Sequence, residues 1–436
     1  MLNLLLSVFI LGLIIMIHEF GHFLFAKLFG VGVVEFAIGM GPVLVSHVFG
    51  ETRYSLSLLP FGGSCMMVGE EEEEEEEDTE DDAERQNRIQ TACKAGKDSA
   101  ENSGAEKSGA KAGVGMSRDK QNLAASSRTN HEAVSSRTIS IDGREYPASS
   151  QFVNKPAWQR FLVIFAGPLF NFLLALLLSL ILTGQVGADR PYVMQLEEGM
   201  PAKEAGLETG DLITGIAIGN GQTKPILTSR DLMLYLTVHA PAMNAETQVR
   251  LRYTRAGKAQ NPDGLDRTAV LTPAYSENTQ SYRLGLSYDS TYRPVEGFPA
   301  LVRFSAHNVM FTIDSTVQSL RMMVRGQVGR KDVMGPVRMV QTMDETVTEA
   351  ADYGLRTAVL TMMNLVILIS GSLGAMNLLP IPALDGGRLV FILIELIFRR
   401  PVPRRLESRI HAVGMALLLT LMAVILFNDV TMLFQK

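Results

Sequence analysis

Cysteine is nearly absent from this chain. Cys65 and Cys93 are the two in 436 residues, and their separation matches no metal-ligand spacing. That rules out a disulfide framework. A strong excess of one charge is lacking too, with 40 Lys and Arg against 46 Asp and Glu. No basic surface interleaved with aromatics is visible, so no nucleic-acid partner is expected. The N-terminus has neither a basic leader nor an A-x-A cleavage signal, so its first apolar run is expected to be retained as a membrane span. Charge is missing altogether from Leu2 to Ile17. The mean hydropathy is positive, which suits several membrane spans joined to soluble parts.

The uncharged run is broken by His18-Glu19-Phe20-Gly21-His22, after which Phe23 to Phe25 restore the apolar character. Ionisable groups inside a membrane span cost several kcal/mol and are usually functional. In a soluble helix such a string is most often a solvated stripe, a reading that the apolar surroundings close off here. Histidines at i and i+4 share one helical face, as zinc ligands do, and a Glu at i+1 can reach a bound water. The pattern points to a metalloprotease whose site lies within the bilayer. A helix entering near Leu2 advances about 24 Å to His18 at 1.5 Å per residue. This predicts a metal in the cytoplasmic half of a hydrocarbon core about 30 Å thick.

Three more runs are long enough to cross: Phe161 to Leu182, Ala358 to Leu379, and Ala412 to Phe427 with its flanks. Transmembrane helices are thus expected over 1–28, 158–183, 357–380 and 408–428. Leu389 to Phe398 is apolar but short and holds Glu395, so a helix packed at the cytoplasmic side is expected within the link 381–407. That link carries Arg399, Arg400, Arg404 and Arg405, with Arg409 just beyond it, which sets it in the cytoplasm and both termini outside.

Glu70 to Glu77 is an unbroken acidic run opening a stretch rich in Ser, Ala, Gly, Lys and Glu. Residues 70–150 are read as a disordered cytoplasmic insertion, with His131 incidental, because such a composition cannot offset its chain entropy. Residues 188–290 read as a small β-rich domain outside the membrane. Within it Gly199 to Ile213 gives a short helix ended by Gly206, a turn and a strand, and Val249 to Tyr253 and Ala269 to Leu271 alternate as strands. Residues 300–350 are amphipathic and helical, with Phe304, Val309, Phe311, Ile313 and Met322 among polar neighbours.

A catalytic zinc takes three protein ligands and one open position. His18 and His22 supply two. The best third candidate is Asp385 in Asn377-Leu378-Leu379-Pro380-Ile381-Pro382-Ala383-Leu384-Asp385-Gly386-Gly387. The prolines break the end of the third span, and the glycines let the backbone turn closely behind Asp385. Glu19 would act as general base towards water and then return its proton to the leaving amine. A helical substrate must first be unwound to expose its peptide bonds. Broken backbone around Asn377 to Pro382, or an edge strand, could pair with the extended substrate. Asn377 is equally readable as a substrate-binding amide or as a helix C-cap.

Together these residues resemble the site-2 protease family of intramembrane zinc metalloproteases, in its bacterial regulator-of-sigma-E protease group. Further matches are Gly39-Met40-Gly41-Pro42, Tyr54 to Gly63, Lys155-Pro156-Ala157-Trp158-Gln159-Arg160, Phe165-Ala166-Gly167-Pro168-Leu169-Phe170-Asn171 and Gly335-Pro336-Val337. The resemblance implies zinc on His18, His22 and Asp385 with Glu19 as base, a membrane-associated β-hairpin region over 29–69, and an extracytoplasmic PDZ domain over 188–290. Leu284-Gly285-Leu286 is similar to a PDZ carboxylate-binding loop. The implied fold is a polytopic α-helical membrane protein with four transmembrane helices, placed in the bacterial inner membrane. The implied substrates are transmembrane proteins of the anti-sigma factor kind, already trimmed by another protease, and remnant signal peptides. The chain departs from the group in showing one PDZ signature where several members carry two, in Ser64-Cys65 after Gly63, in Ser372, and in the acidic insertion. A catalytically silent PDZ-bearing scaffold is the alternative, opposed by the intact His18, Glu19, His22 and Asp385. A metal transporter would need more spans and repeat symmetry.

Overall fold

The computed structural model describes residues 2–70, 138–255, 265–277, 280–329 and 333–433. The chain divides into two compact units. One takes in residues 1–18, 167–390 and 403–436, and the other residues 19–166 and 391–402. Helix α1 (Leu2–Leu28) runs through both. Among the described residues, four helices are long and apolar enough to cross a membrane: Ser7–Leu28, Ala157–Val186, Leu355–Asn377 and Arg405–Thr431. Each of the four runs expected from hydropathy falls on one long helix, the third of which ends at Asn377, before Leu379.

In the second unit, α1 leads into two long antiparallel strands, β1 (Val33–Phe49) and β2 (Thr52–Met67), joined at Gly50 and Glu51. Each strand is bent, with Gly41 and Gly62 at φ of 90° beside the bends, a value open to glycine at little cost. Pairing is therefore double: Phe36 lies opposite both Tyr54 and Cys65, while Ser46 lies opposite Ser55. The result is a four-segment antiparallel sheet in which, among the described residues, 63–67 are paired along one edge only.

Residues 138–150 correct the expectation of disorder over 70–150. They form the hairpin β3 (Thr138–Ile141) and β4 (Arg144–Pro147), turning at Asp142 and Gly143 with φ of 53° and 72°. Asp-Gly between alternating apolar residues is a strong hairpin signal, which the low-complexity average concealed. Tyr146 is fully buried with Val34, Val68 and Ile141. Its hydroxyl donates to the Glu51 carbonyl, and Arg144 donates to the carbonyls of Val34 and Glu51. The acidic run beyond Glu70, Cys93 and His131 lie outside the described residues.

Helix α2 (Ala157–Val186) opens the next span. The β-rich segment follows with β5 (Ala188–Asp189), β6 (Val193–Leu196), α3 (Pro201–Glu204), β7 (Leu212–Ile218), β8 (Lys224–Pro225), α4 (Ser229–His239), β9 (Val249–Arg255), β10 (Leu265–Leu271), β11 (Ala274–Ser276), β12 (Ser281–Arg283), β13 (Leu286–Tyr288) and β14 (Tyr292–Arg293). Its main sheet has the order β10-β9-β7-β8, and β13 pairs with β6. The core holds Val193, Ile213, Ile216, Leu232, Val249 and Leu251, each at most 1 % exposed. Burying a side chain of this size contributes roughly 1.5–3 kcal/mol.

The expected helical stretch 300–350 is two helices, α5 (Phe298–Val324) and α6 (Pro336–Asp352). Gly326 at φ 68° and the Gly335-Pro336 pair separate them, since a proline disfavours helix in the residue before it. Polar contacts tie the β-rich segment to α5: Lys224 Nζ to Asp314 Oδ2 at 2.5 Å, and His307 Nε2 to Asp231 Oδ2 at 2.7 Å. The chain ends with α7 (Leu355–Asn377), α8 (Asp385–Phe398) and α9 (Arg404–Leu433). The short helix expected from Leu389 begins four residues earlier, at Asp385. Ile10 and Ile14 of α1 are buried with Met343 of α6 and against Leu365 and Ile369 of α7, which seats the first half of α1 among them.

Candidate metal centre

The site grows from two interruptions of apolar helix. On α1, His18 and His22 stand one turn apart on a single face, both 6 % exposed. At the end of α7 the chain leaves the helix after Asn377, passes Pro380 and Pro382, and resumes as α8 at Asp385. Leu379 and Gly386 are pressed together in this turn: a Cβ on Gly386 would lie 2.0 Å from the Leu379 carbonyl oxygen, so no larger residue fits. Ala383 adopts φ of 75°. For a residue with a Cβ, left-handed backbone costs roughly 1–2 kcal/mol.

This turn delivers Asp385 to His18. Asp385 Oδ2 lies 3.1 Å from His18 Nε2. Two ligand atoms at about 2.0–2.2 Å from one tetrahedral zinc stand about 3.3 Å apart, so the pair fits a shared ion. Asn377 Nδ2 lies 3.4 Å from the same His18 nitrogen. His22 bonds through Nδ1 to the carbonyl of Val163 at 2.9 Å. A carbonyl only accepts, so Nδ1 carries the proton and Nε2 keeps its lone pair for a metal. Asn171 of α2, fully buried, approaches His18 Nδ1 at 3.2 Å, and its backbone carbonyl accepts from Ser370 of α7. With Asp385 against His18 and His22 one turn on, the three form a donor group of the kind that holds a metal ion.

Glu19 lies on α1 between these ligands, in the second unit with the four-segment sheet. A Cβ on Gly63 would lie 3.1 Å from Glu19 Cγ and 3.1 Å from the Ala37 carbonyl oxygen. The edge segment of β2 therefore passes directly over the carboxylate-bearing side chain. Cys65, on the same segment, has its thiol pushed up to about 12 by burial and by the Glu19 charge. It is an inert, protonated thiol. In that unit Arg160 of α2 holds Glu395 of α8 at 2.6 Å.

Asp385 and Asn377 are thus brought against His18 in the first unit, and Glu19 and His22 follow His18 along α1 in the second. Sequence reasoning gave no role to Asn171, Gly63 or His411, whose ring accepts the Ala383 N–H. Asn171 and His411 carry the signal that exposed His18, a polar side chain inside or beside an apolar run. For His411 that signal is masked by the arginine-rich link next to it.

Two buried imidazoles on a membrane-length helix, with a carboxylate at the start of a shorter one, are a donor set suited to a metal ion. Comparison with known proteins gives the class. The model of peptidase family M50 matches residues 6–421. The chain is 30 % identical to the regulator of sigma-W protease RasP of Bacillus subtilis (strain 168), over 98 % of each protein. It is 30 % identical to the zinc metalloprotease RasP of Bacillus licheniformis, again over 98 % of each. The chain belongs to peptidase family M50. It is a zinc metalloendopeptidase of the site-2 protease type, a multi-pass helical membrane protein.

Proposed function

We propose that this protease cuts transmembrane segments of its substrates within the bilayer, with His18, His22 and Asp385 as the zinc ligands and Glu19 as general base. The observation that carries this reading is the 3.1 Å approach of Asp385 Oδ2 to Nε2 of His18, which lies on a helix long enough to span. Zinc supplies a Lewis acid and an acidified water at this point. The protein's own groups do the rest. Val163 holds the His22 ring in the ligating tautomer. Glu19 takes a proton from the attacking water and passes it to the leaving amine. Asn377, beside His18, offers an amide to the substrate backbone, and the one-sided edge of residues 63–67 can pair with an unwound substrate strand.

The wider reading follows the same supports. The sheet of residues 29–69, with Val43, Leu44, Val45, Val48 and Phe49 exposed, lies against the membrane. Residues 188–290 form an extracytoplasmic PDZ domain that admits trimmed substrates and excludes those with bulky outer parts. Both termini face outward from a bacterial inner membrane. The name of the Bacillus subtilis relative, regulator of sigma-W protease, supports substrates of the anti-sigma factor kind, with signal-peptide remnants as a second class.

The test is cleavage of a single-span substrate reconstituted with the purified protein in vesicles, together with metal analysis. Wild type should bind about one zinc and cut within the span. His22→Phe and Asp385→Ala should lose both. Full zinc in both variants would overturn the ligand assignment, and cleavage confined to soluble segments would overturn the intramembrane one.

A further inference from the structure

The turn that presents Asp385 is strained two residues upstream, and the strain has a brace. Ala383 sits at φ of 75°, where glycine rests easily and alanine does not. Its backbone N–H donates to Nδ1 of His411 at 3.0 Å, a bond reaching from the turn to α9. The same face of α9 meets the turn again one helical turn on. A Cβ on Gly414 would lie 2.3 Å from Pro382 Cβ and 3.0 Å from its carbonyl carbon. The His411 ring also borders the glycine pair: a Cβ on Gly387 would lie 3.2 Å from its Cε1. None of the most apolar 18-residue window of α9 is buried. Contact with the Pro382–Ala383 turn is thus a local seat of α9, as is Asp429 further along, which accepts from the backbone N–H groups of Gly335 and Arg338.

We propose that His411 is a positioning residue for Asp385: by accepting the Ala383 N–H it holds the turn in its left-handed conformation and so sets the carboxylate against His18. The proposal rests on reading Asp385 as a zinc ligand. His411 is outside the ligand set and acts on it through a backbone bond, which predicts a pattern that packing alone would not give. Removing the acceptor should matter while Ala383 is alanine. It should matter much less when residue 383 is glycine, which keeps a positive φ without a brace. An asparagine at 411, whose amide oxygen takes the place of Nδ1, should serve nearly as well as histidine.

The experiment measures zinc affinity by chelator competition on the full-length protein in detergent, with thermal unfolding of each variant as a check on folding. Residues that orient a metal ligand typically alter affinity 10- to 100-fold, and His411→Leu should weaken zinc by at least about 10-fold. His411→Asn should stay within about threefold of wild type, well inside that range. Ala383→Gly combined with His411→Leu should recover most of the loss. The proposal is overturned if His411→Leu binds zinc as wild type does. It is also overturned if Ala383→Gly restores nothing, or if His411→Asn is as weak as His411→Leu. Should His411→Leu not fold alone, the Asn variant and the double variant decide the matter by their own zinc affinities against wild type. A wild-type protein that binds no zinc overturns the ligand assignment beneath this proposal as well, which separates the two failures.

Discussion

Asn171 stands with its amide 3.2 Å from Nδ1 of His18, on the opposite side of the ring from Asp385. The amide nitrogen faces the ring, and Oδ1 has no hydrogen-bond partner among the described residues. A metal on Nε2 requires the proton on Nδ1, and that proton requires an acceptor. Half a turn of the amide brings Oδ1 to the ring and satisfies both atoms. Asn171→Leu should therefore weaken zinc binding by about 10- to 100-fold, while Asn171→Asp, which still accepts, retains it. Chelator competition on the two variants checks this, and equal affinity in both would remove the role.

Glu19→Gln should keep zinc and lose cleavage. The substitution removes proton transfer without removing a ligand, so a drop of about 10²- to 10⁴-fold in turnover is expected. Single-turnover cleavage in vesicles beside metal analysis gives the answer. Near wild-type turnover would reassign the base.

Gly63 tests the sheet's place over that carboxylate. Adding an isopropyl group where 3.1 Å is available to Glu19 Cγ forces either the strand or the glutamate to move. Gly63→Val should cut turnover by at least tenfold, about 1.4 kcal/mol in the barrier, with zinc content unchanged. A fully active Gly63→Val variant would show the edge to be yielding.

Tyr146 divides the expected insertion into a dispensable part and a structural one. Tyr146→Ala removes a fully buried ring from the core with Val34, Val68 and Ile141 and should cost about 3–5 kcal/mol. Deleting residues 71–136 leaves the β3–β4 hairpin whole and should preserve both folding and zinc, since shortening a connection costs little. Thermal unfolding of the two proteins should rank the deletion well above the point variant.

Acid should loosen the junction between the β-rich segment and α5. Burial works to raise the Asp231 carboxyl. The hydrogen bonds from His307 and from the backbone N–H groups of Thr228 and Leu227 outweigh it, holding the group below its ordinary value. A carboxylate depressed in the folded state adds stability that is fully present above about pH 4 and is lost as pH falls through the lower folded value. Asp231→Asn should therefore be less stable than wild type at neutral pH, by roughly 1.5–3 kcal/mol for bonds to a charged group. The difference should shrink below about pH 4. A gap independent of pH would assign the effect to packing.

The four membrane-length helices, and the residues proposed as ligands and base, stand out in the sequence because a charge inside hydrocarbon is costly and persists only where chemistry needs it. His18 and Asp385 announce themselves by chemistry and by the broken helix that carries one of them. The β3–β4 hairpin was hidden because Ile139, Ile141 and Tyr146 were averaged with the polar residues before them. The break at Gly326 to Gly335 was passed over because apolar residues recur on both sides of it. Asn171 and His411 are polar side chains inside or beside apolar runs, but which residue each one meets, His18 and Ala383, follows only from three-dimensional proximity.

The atoms around His18 come from opposite ends of the chain: 359 residues separate it from Asn377, and Asp385 lies further on. A ribosome adding about 5–20 residues per second needs roughly 20–70 s between the two. Throughout that interval the first helix already rests in the bilayer among other proteins' spans, bearing its histidines and its glutamate without their partner. Distance along the chain therefore acts as a timer. With Asp385 as a zinc ligand, a nascent or truncated copy lacks a complete metal site, and competence waits for the C-terminal part of the chain.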